Sequence, residues 1–114
     1  MVKVGRFVVD PKVGAYCQIT LDSGEKILVS HDKGGFKGGR LTIEAKKFMG
    51  FSADRIFDCD LDSPGGMAAL GQLTRDARPG TIGATPLNAF VEYVRHCGSV
   101  AEVKSRCAAL MSQG

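Results

Sequence analysis

Arg55-Ile56-Phe57-Asp58-Cys59-Asp60-Leu61-Asp62-Ser63-Pro64-Gly65-Gly66-Met67-Ala68-Ala69-Leu70 carries the change of rhythm that decides the fold. Up to Leu61 the side chains alternate: Phe57, Cys59 and Leu61 fall on one face, Asp58 and Asp60 on the other. A period of two is the mark of a half-buried strand, because successive side chains leave a pleated backbone on opposite sides. At Ser63 the period lengthens. Ser63 offers a hydroxyl for an N-cap and Pro64 suits the first helical position. Met67, Leu70 and Leu73 then recur as the apolar stripe of a helix that fades near Arg78-Pro79-Gly80. The chain therefore divides into a β-rich part, residues 1–62, and a helical part, residues 63–114, expected to share one core within a single domain.

Working back from that boundary, four further strands are expected. Val4–Val9 is a β-branched run ended by Asp10-Pro11, and Ala15–Leu21 alternates cleanly, with Ala15, Cys17, Ile19 and Leu21 on one side. Asp22-Ser23-Gly24-Glu25 has hairpin chemistry, Gly24 being free to take a positive φ. Lys26–His31 is the returning strand, and Arg40–Glu44 follows a glycine-rich loop at residues 33–39. Ala45–Gly50 reads as a single helical turn. Five short strands in about 60 residues suggest a small barrel or rolled sheet. A helical turn between the fourth and fifth strands favours an SH3-like barrel over an OB-fold.

Working forward, Thr85-Pro86 repeats the helix-start signal. Leu87, Phe90, Val91, Val94 and Cys97 form one helical face. Gly98 suits the left-handed position that ends a helix. Ser99-Val100-Ala101-Glu102 reads as a capping box for a last helix striped by Val100, Val103, Cys107, Leu110 and Met111. The class is thus α+β, an antiparallel sheet followed by two to three helices. A barrel of about 60 residues is marginal alone, and short amphipathic helices are unstable in isolation. The helices are expected to pack on the sheet or to close a homodimer.

Bulk composition narrows the function. With 44% hydrophobic and 24% charged residues over 114 positions, the chain is of the globular type and not a disordered tail. A net charge of +3 is too small to compel a nucleic-acid partner. No apolar run approaches the roughly 20 residues of a membrane-spanning helix, and Phe7-Val8-Val9 is too short for an export signal. A cytoplasmic location is the expectation. Cys17, Cys59, Cys97 and Cys107 contain no Cys-x-x-Cys pair, so they read as buried reduced thiols.

Among possible sites, Lys33-Gly34-Gly35-Phe36-Lys37-Gly38-Gly39-Arg40 is the most distinctive. Its glycines open the backbone to a ligand, its cations suit anions, and Phe36 could stack a base. With Lys46 and Lys47 it forms a candidate contact surface of Lys33, Phe36, Lys37, Arg40, Lys46 and Lys47. The plain alternative is a solvated hairpin loop. Gly34 and Gly39 imitate a Walker A motif, but Arg40 and Leu41 stand where lysine and a hydroxyl residue are needed, and a strand follows where a helix should. Asp58-x-Asp60-x-Asp62 resembles a calcium loop but has Ser63 and Ala69 where Gly and Glu belong. Its plain reading is an acidic stripe offset by Arg40 or Lys26 on neighbouring strands.

The junction Val94–Ser99 imitates a helix-turn-helix, yet Glu102 would face phosphate. His31 could pair with a cysteine or an aspartate as a small enzyme would require, but no nucleophile, base and orienting group stand together. The expected protein is a small non-enzymatic binding or adaptor protein without metal or cofactor. It would contact a protein partner or its own copy through the glycine-rich loop and the helices. Weak, sequence-tolerant nucleic-acid binding by the same loop is the alternative, and a small enzyme built on His31 the second.

Overall fold

The computed structural model describes residues 3–10, 14–32, 39–46, 53–76 and 86–112. Five strands, β1 (Lys3–Asp10), β2 (Gly14–Thr20), β3 (Lys26–Asp32), β4 (Arg40–Lys46) and β5 (Ala53–Asp60), precede three helices, α1 (Pro64–Asp76), α2 (Pro86–Val94) and α3 (Val100–Ser112). The architecture is α+β. Each strand pairs antiparallel with the next, in the order β1-β2-β3-β4-β5. β1 and β5 stand at opposite edges, and no pairing joins them among the described residues. The expected closure into an SH3-like barrel is not among these pairings, and a layer of helices covers one face of the sheet.

The register explains the burial. Cys17 lies opposite Val29, Val29 opposite Ile43, and Ile43 opposite Phe57. These rows place Cys17, Ile19, Ile27, Val29, Leu41, Ile43 and Cys59 on one face, all buried in a single cluster with the helices. Helix α2 crosses β2 and β3, whereas α1 and α3 reach β5 and touch one another. Leu87, Phe90, Val91, Val94 and Cys97 are all buried, as their spacing implies. Phe90 meets Phe57 with ring centroids 5.3 Å apart and planes tilted by 50°, a favourable tilted geometry for two aromatic quadrupoles.

Several local expectations change. Ala45 and Lys46 continue β4, because Ala45 pairs with both Ile27 and Asp54. Strand pairing wins there over the expected helical turn, whose remaining residues lie outside those described. Helix α1 starts as expected: the Ser63 hydroxyl accepts the Gly66 amide at 3.0 Å. Its buried face, however, is Gly66, Ala69 and Leu73, with Met67 exposed and Leu70 half-buried. The small residues let the helix approach so closely that a Cβ at Gly66 would overlap the Asp60 carbonyl.

Gly98 is not among the glycines with positive φ, which among the described residues are Gly14, Gly24 and Gly39. In the cap of α3, the Ser99 hydroxyl accepts the Glu102 amide at 3.3 Å. The Glu102 carboxylate returns to the amide of Gly98, one residue earlier than in a regular capping box.

Candidate functional site

Of the six expected contact residues, Lys33, Phe36, Lys37 and Lys47 lie outside the described residues. Arg40 and Lys46 are described, and the fold does not bring them together. They open and close β4. Six residues of extended chain separate them by about 20 Å. Successive hairpin loops of a meander leave the sheet at alternate ends, so closeness in sequence does not become closeness in space. The base of the glycine-rich loop is well defined. Asp32 pairs with Arg40 across it, and the Gly39 carbonyl accepts the Leu61 amide at 2.9 Å. Gly39 has φ +82°, and a Cβ there would stand 2.6 Å from the Asp32 carbonyl oxygen and 2.7 Å from His31 Nε2. Glycine is required at this position both by its conformation and by the space.

Arg40 belongs to an ionic chain on the outer face of the sheet. Its Nε donates to Asp58 Oδ1 at 2.9 Å. Arg55 then bridges Asp58 Oδ2 at 3.4 Å and Glu44 Oε1 at 3.3 Å. The hydrogen bond and charge of Asp58, with Asp60 nearby, push the Arg40 pKa upward. The guanidinium is thus already matched to carboxylates, as the acidic-stripe reading of Asp58-x-Asp60-x-Asp62 implies. Arg55 reaches this face only because of an irregularity: Ile43 pairs with Phe57, but Glu44 pairs with Arg55, leaving Ile56 as an extra residue. Such a bulge shifts the side-chain alternation by one. Lys46 Nζ donates to Gln18 Oε1 at 2.8 Å. The Asp60 carboxylate accepts the Asp62 amide at 2.9 Å. Among the described residues no three His, Cys, Asp or Glu side chains converge as metal ligands.

His31 and the four cysteines are held in the interior. His31 is 5% exposed, on the core face between Ala15 and Leu41. Cys17, Cys59, Cys97 and Cys107 are free thiols, all buried. Burial raises the pKa of each, and raises Cys107 to about 12. A reactive cysteine needs the opposite, a thiolate stabilised near neutral pH in a partly exposed setting.

Two results are expected. Iodoacetamide at neutral pH leaves all four thiols of the native protein unmodified but labels all four in urea; labelling of one native thiol contradicts this. Stability also has a definite alkaline dependence. A thiol kept protonated by the fold stabilises it fully below its ordinary pKa of 9.0, and that contribution is lost as pH rises through the raised value. Each such thiol lowers stability by up to about 1.4 kcal/mol per pH unit in that window. The urea midpoint should therefore fall between pH 8 and pH 10.5.

The helical layer holds two surface features that periodicity assigns to the core. Met67 is 59% exposed on α1 and Met111 39% exposed on α3; no other large hydrophobic is exposed among the described residues. The available signal was the Gly66, Ala69, Leu73 spacing, which offers an alternative inner face made of small residues. Comparison with protein-family models, with curated proteins and with solved structures returned no match to this chain.

Proposed function

We propose that the protein is a non-enzymatic binding module that associates with a second copy of itself through its helical layer and contacts partners through the glycine-rich loop. The observation carrying this reading is the exposure of Met67 and Met111, the large hydrophobics left outside among the described residues, on two helices that touch one another. Methionine's unbranched, polarizable side chain adapts to a partner surface. The clamped loop base, with Gly39 seated between Asp32 and His31, supports the loop as the second contact surface.

Sedimentation equilibrium tests the self-association. The wild-type chain should exceed its monomer mass of 12.1 kDa, and Met67→Lys should shift it towards monomer. Because Met67 is exposed, that variant should keep its unfolding midpoint, an exposed substitution usually changing stability by about 0.5 kcal/mol or less. A strict monomer at high concentration overturns this reading.

The nucleic-acid alternative has less support, since Arg40 is matched to Asp58 and Lys46 stands at the other end of β4. An affinity that falls steeply with salt and weakens in Lys33→Ala with Lys37→Ala would favour it.

A further inference from the structure

The tip of the β2–β3 hairpin and the start of α3 meet although 75 residues separate Glu25 from Val100. The Ser23 amide donates to the Gly98 carbonyl at 2.9 Å. Glu25 Oε1 accepts the Val100 amide at 3.1 Å and the Ser23 hydroxyl at 2.8 Å. The first amides of a helix have no partner inside it and need one from outside. Here Ser99 serves Glu102 from within the local chain, whereas Val100 is served from the sheet. The helix end favours an anion, and Lys104 on α3 adds a positive charge.

We infer that Glu25 is a proton-sensitive latch joining the hairpin tip to the first turn of α3. The charged groups on the segments that meet here are Asp22 and Lys26 on the hairpin, Glu102 and Lys104 on α3, and His96 in the corner between α2 and α3; of these, Lys104 acts on Glu25. The Val100 amide, the Ser23 hydroxyl and Lys104 all hold the Glu25 carboxyl below its ordinary 4.5. A lowered carboxylate pKa gives a contact that is fully present above the ordinary value and lost as pH falls through the lowered one. The latch governs the first turn and not the docking of the helix. Docking rests instead on Val103, Cys107 and Leu110, which are buried in the core, and on a second anchor. Arg106 Nε donates to the Tyr93 carbonyl at 2.9 Å, the Tyr93 hydroxyl donates to the Arg106 carbonyl at 2.8 Å, and the guanidinium lies 4.3 Å from the ring centre.

An NMR titration of the full chain from pH 6.5 to 3 tests this. The Val100 amide proton should shift upfield with a midpoint below 4.5, and its exchange with solvent should speed up relative to the Val103 amide, beyond the intrinsic pH effect. Glu25→Gln keeps an oxygen that can accept a hydrogen bond but cannot titrate in this range. In that variant the Val100 shift should lose its pH dependence while the dispersed spectrum of the fold remains. Glu102→Gln should leave the Val100 titration in place and disturb the Gly98 amide instead. A Val100 amide that does not titrate in wild type, or that still titrates in Glu25→Gln, overturns the inference.

Discussion

Phe90→Ala will lower stability by about 3–5 kcal/mol, the cost of emptying a large buried aromatic site. Phe90 is fully buried and is the largest fully buried side chain among the described residues. It sits on α2, where that helix crosses the sheet, and touches Phe57 of β5. Removing it opens a cavity between the two layers and also removes an aromatic pair. For a chain of this length the melting temperature should fall by roughly 10 °C or more. The urea midpoint should fall with the slope unchanged, as a two-state loss of stability requires. A loss under about 1 kcal/mol would mean that α2 does not seal the sheet as described.

Gly66→Ala should be nearly as damaging, against the usual direction of that change. Inside a helix, alanine is ordinarily favoured over glycine by about 1 kcal/mol. At this position the added Cβ would overlap the Asp60 carbonyl and lie 2.9 Å from the Leu61 Cα. Both obstacles are backbone, so no side chain can turn aside. Either α1 moves off β5 or the Asp60–Ser63 turn opens, and overpacking of this kind costs about 1–3 kcal/mol or more. The neighbouring residue is the control. A Cβ at Gly65 meets only the Met111 Cε, at an ordinary 3.7 Å. Gly65→Ala should therefore leave stability unchanged or raise it slightly. If both variants behave alike in thermal unfolding, the close approach of α1 to β5 is wrong.

The strand faces were legible in the sequence because one side of each strand is greasy and the other polar. Cys17 and Ile19, Val29, Leu41 and Ile43, and Cys59 all stand inward where alternation puts them. The face of α1 was not legible by hydrophobicity. Gly66 and Ala69 contribute little apolar area, but they win the inner positions because the chain has just left β5 and runs close to it. Met67 scores as core and is left outside.

The separation of Arg40 from Lys46 at opposite ends of β4 was not legible for a different reason. A linear stretch of cations says nothing about the length of strand laid between them. The outside cap on Val100 had no local signal at all: Glu25 is an ordinary turn residue until the hairpin and the α2–α3 corner are brought together.

The surplus Ile56 in β5 has an evolutionary consequence. Below the bulge the strand keeps Phe57 and Cys59 against the interior, and above it Arg55 is rotated onto the side of Asp58 and Glu44. Deleting that single position would make the register regular, with Arg55 directly before Phe57, still opposite Glu44 and still on the outer face with Asp58. In chains built on this plan, a one-codon deletion at this position would thus be absorbed, with the buried seam and the outward charge map both preserved.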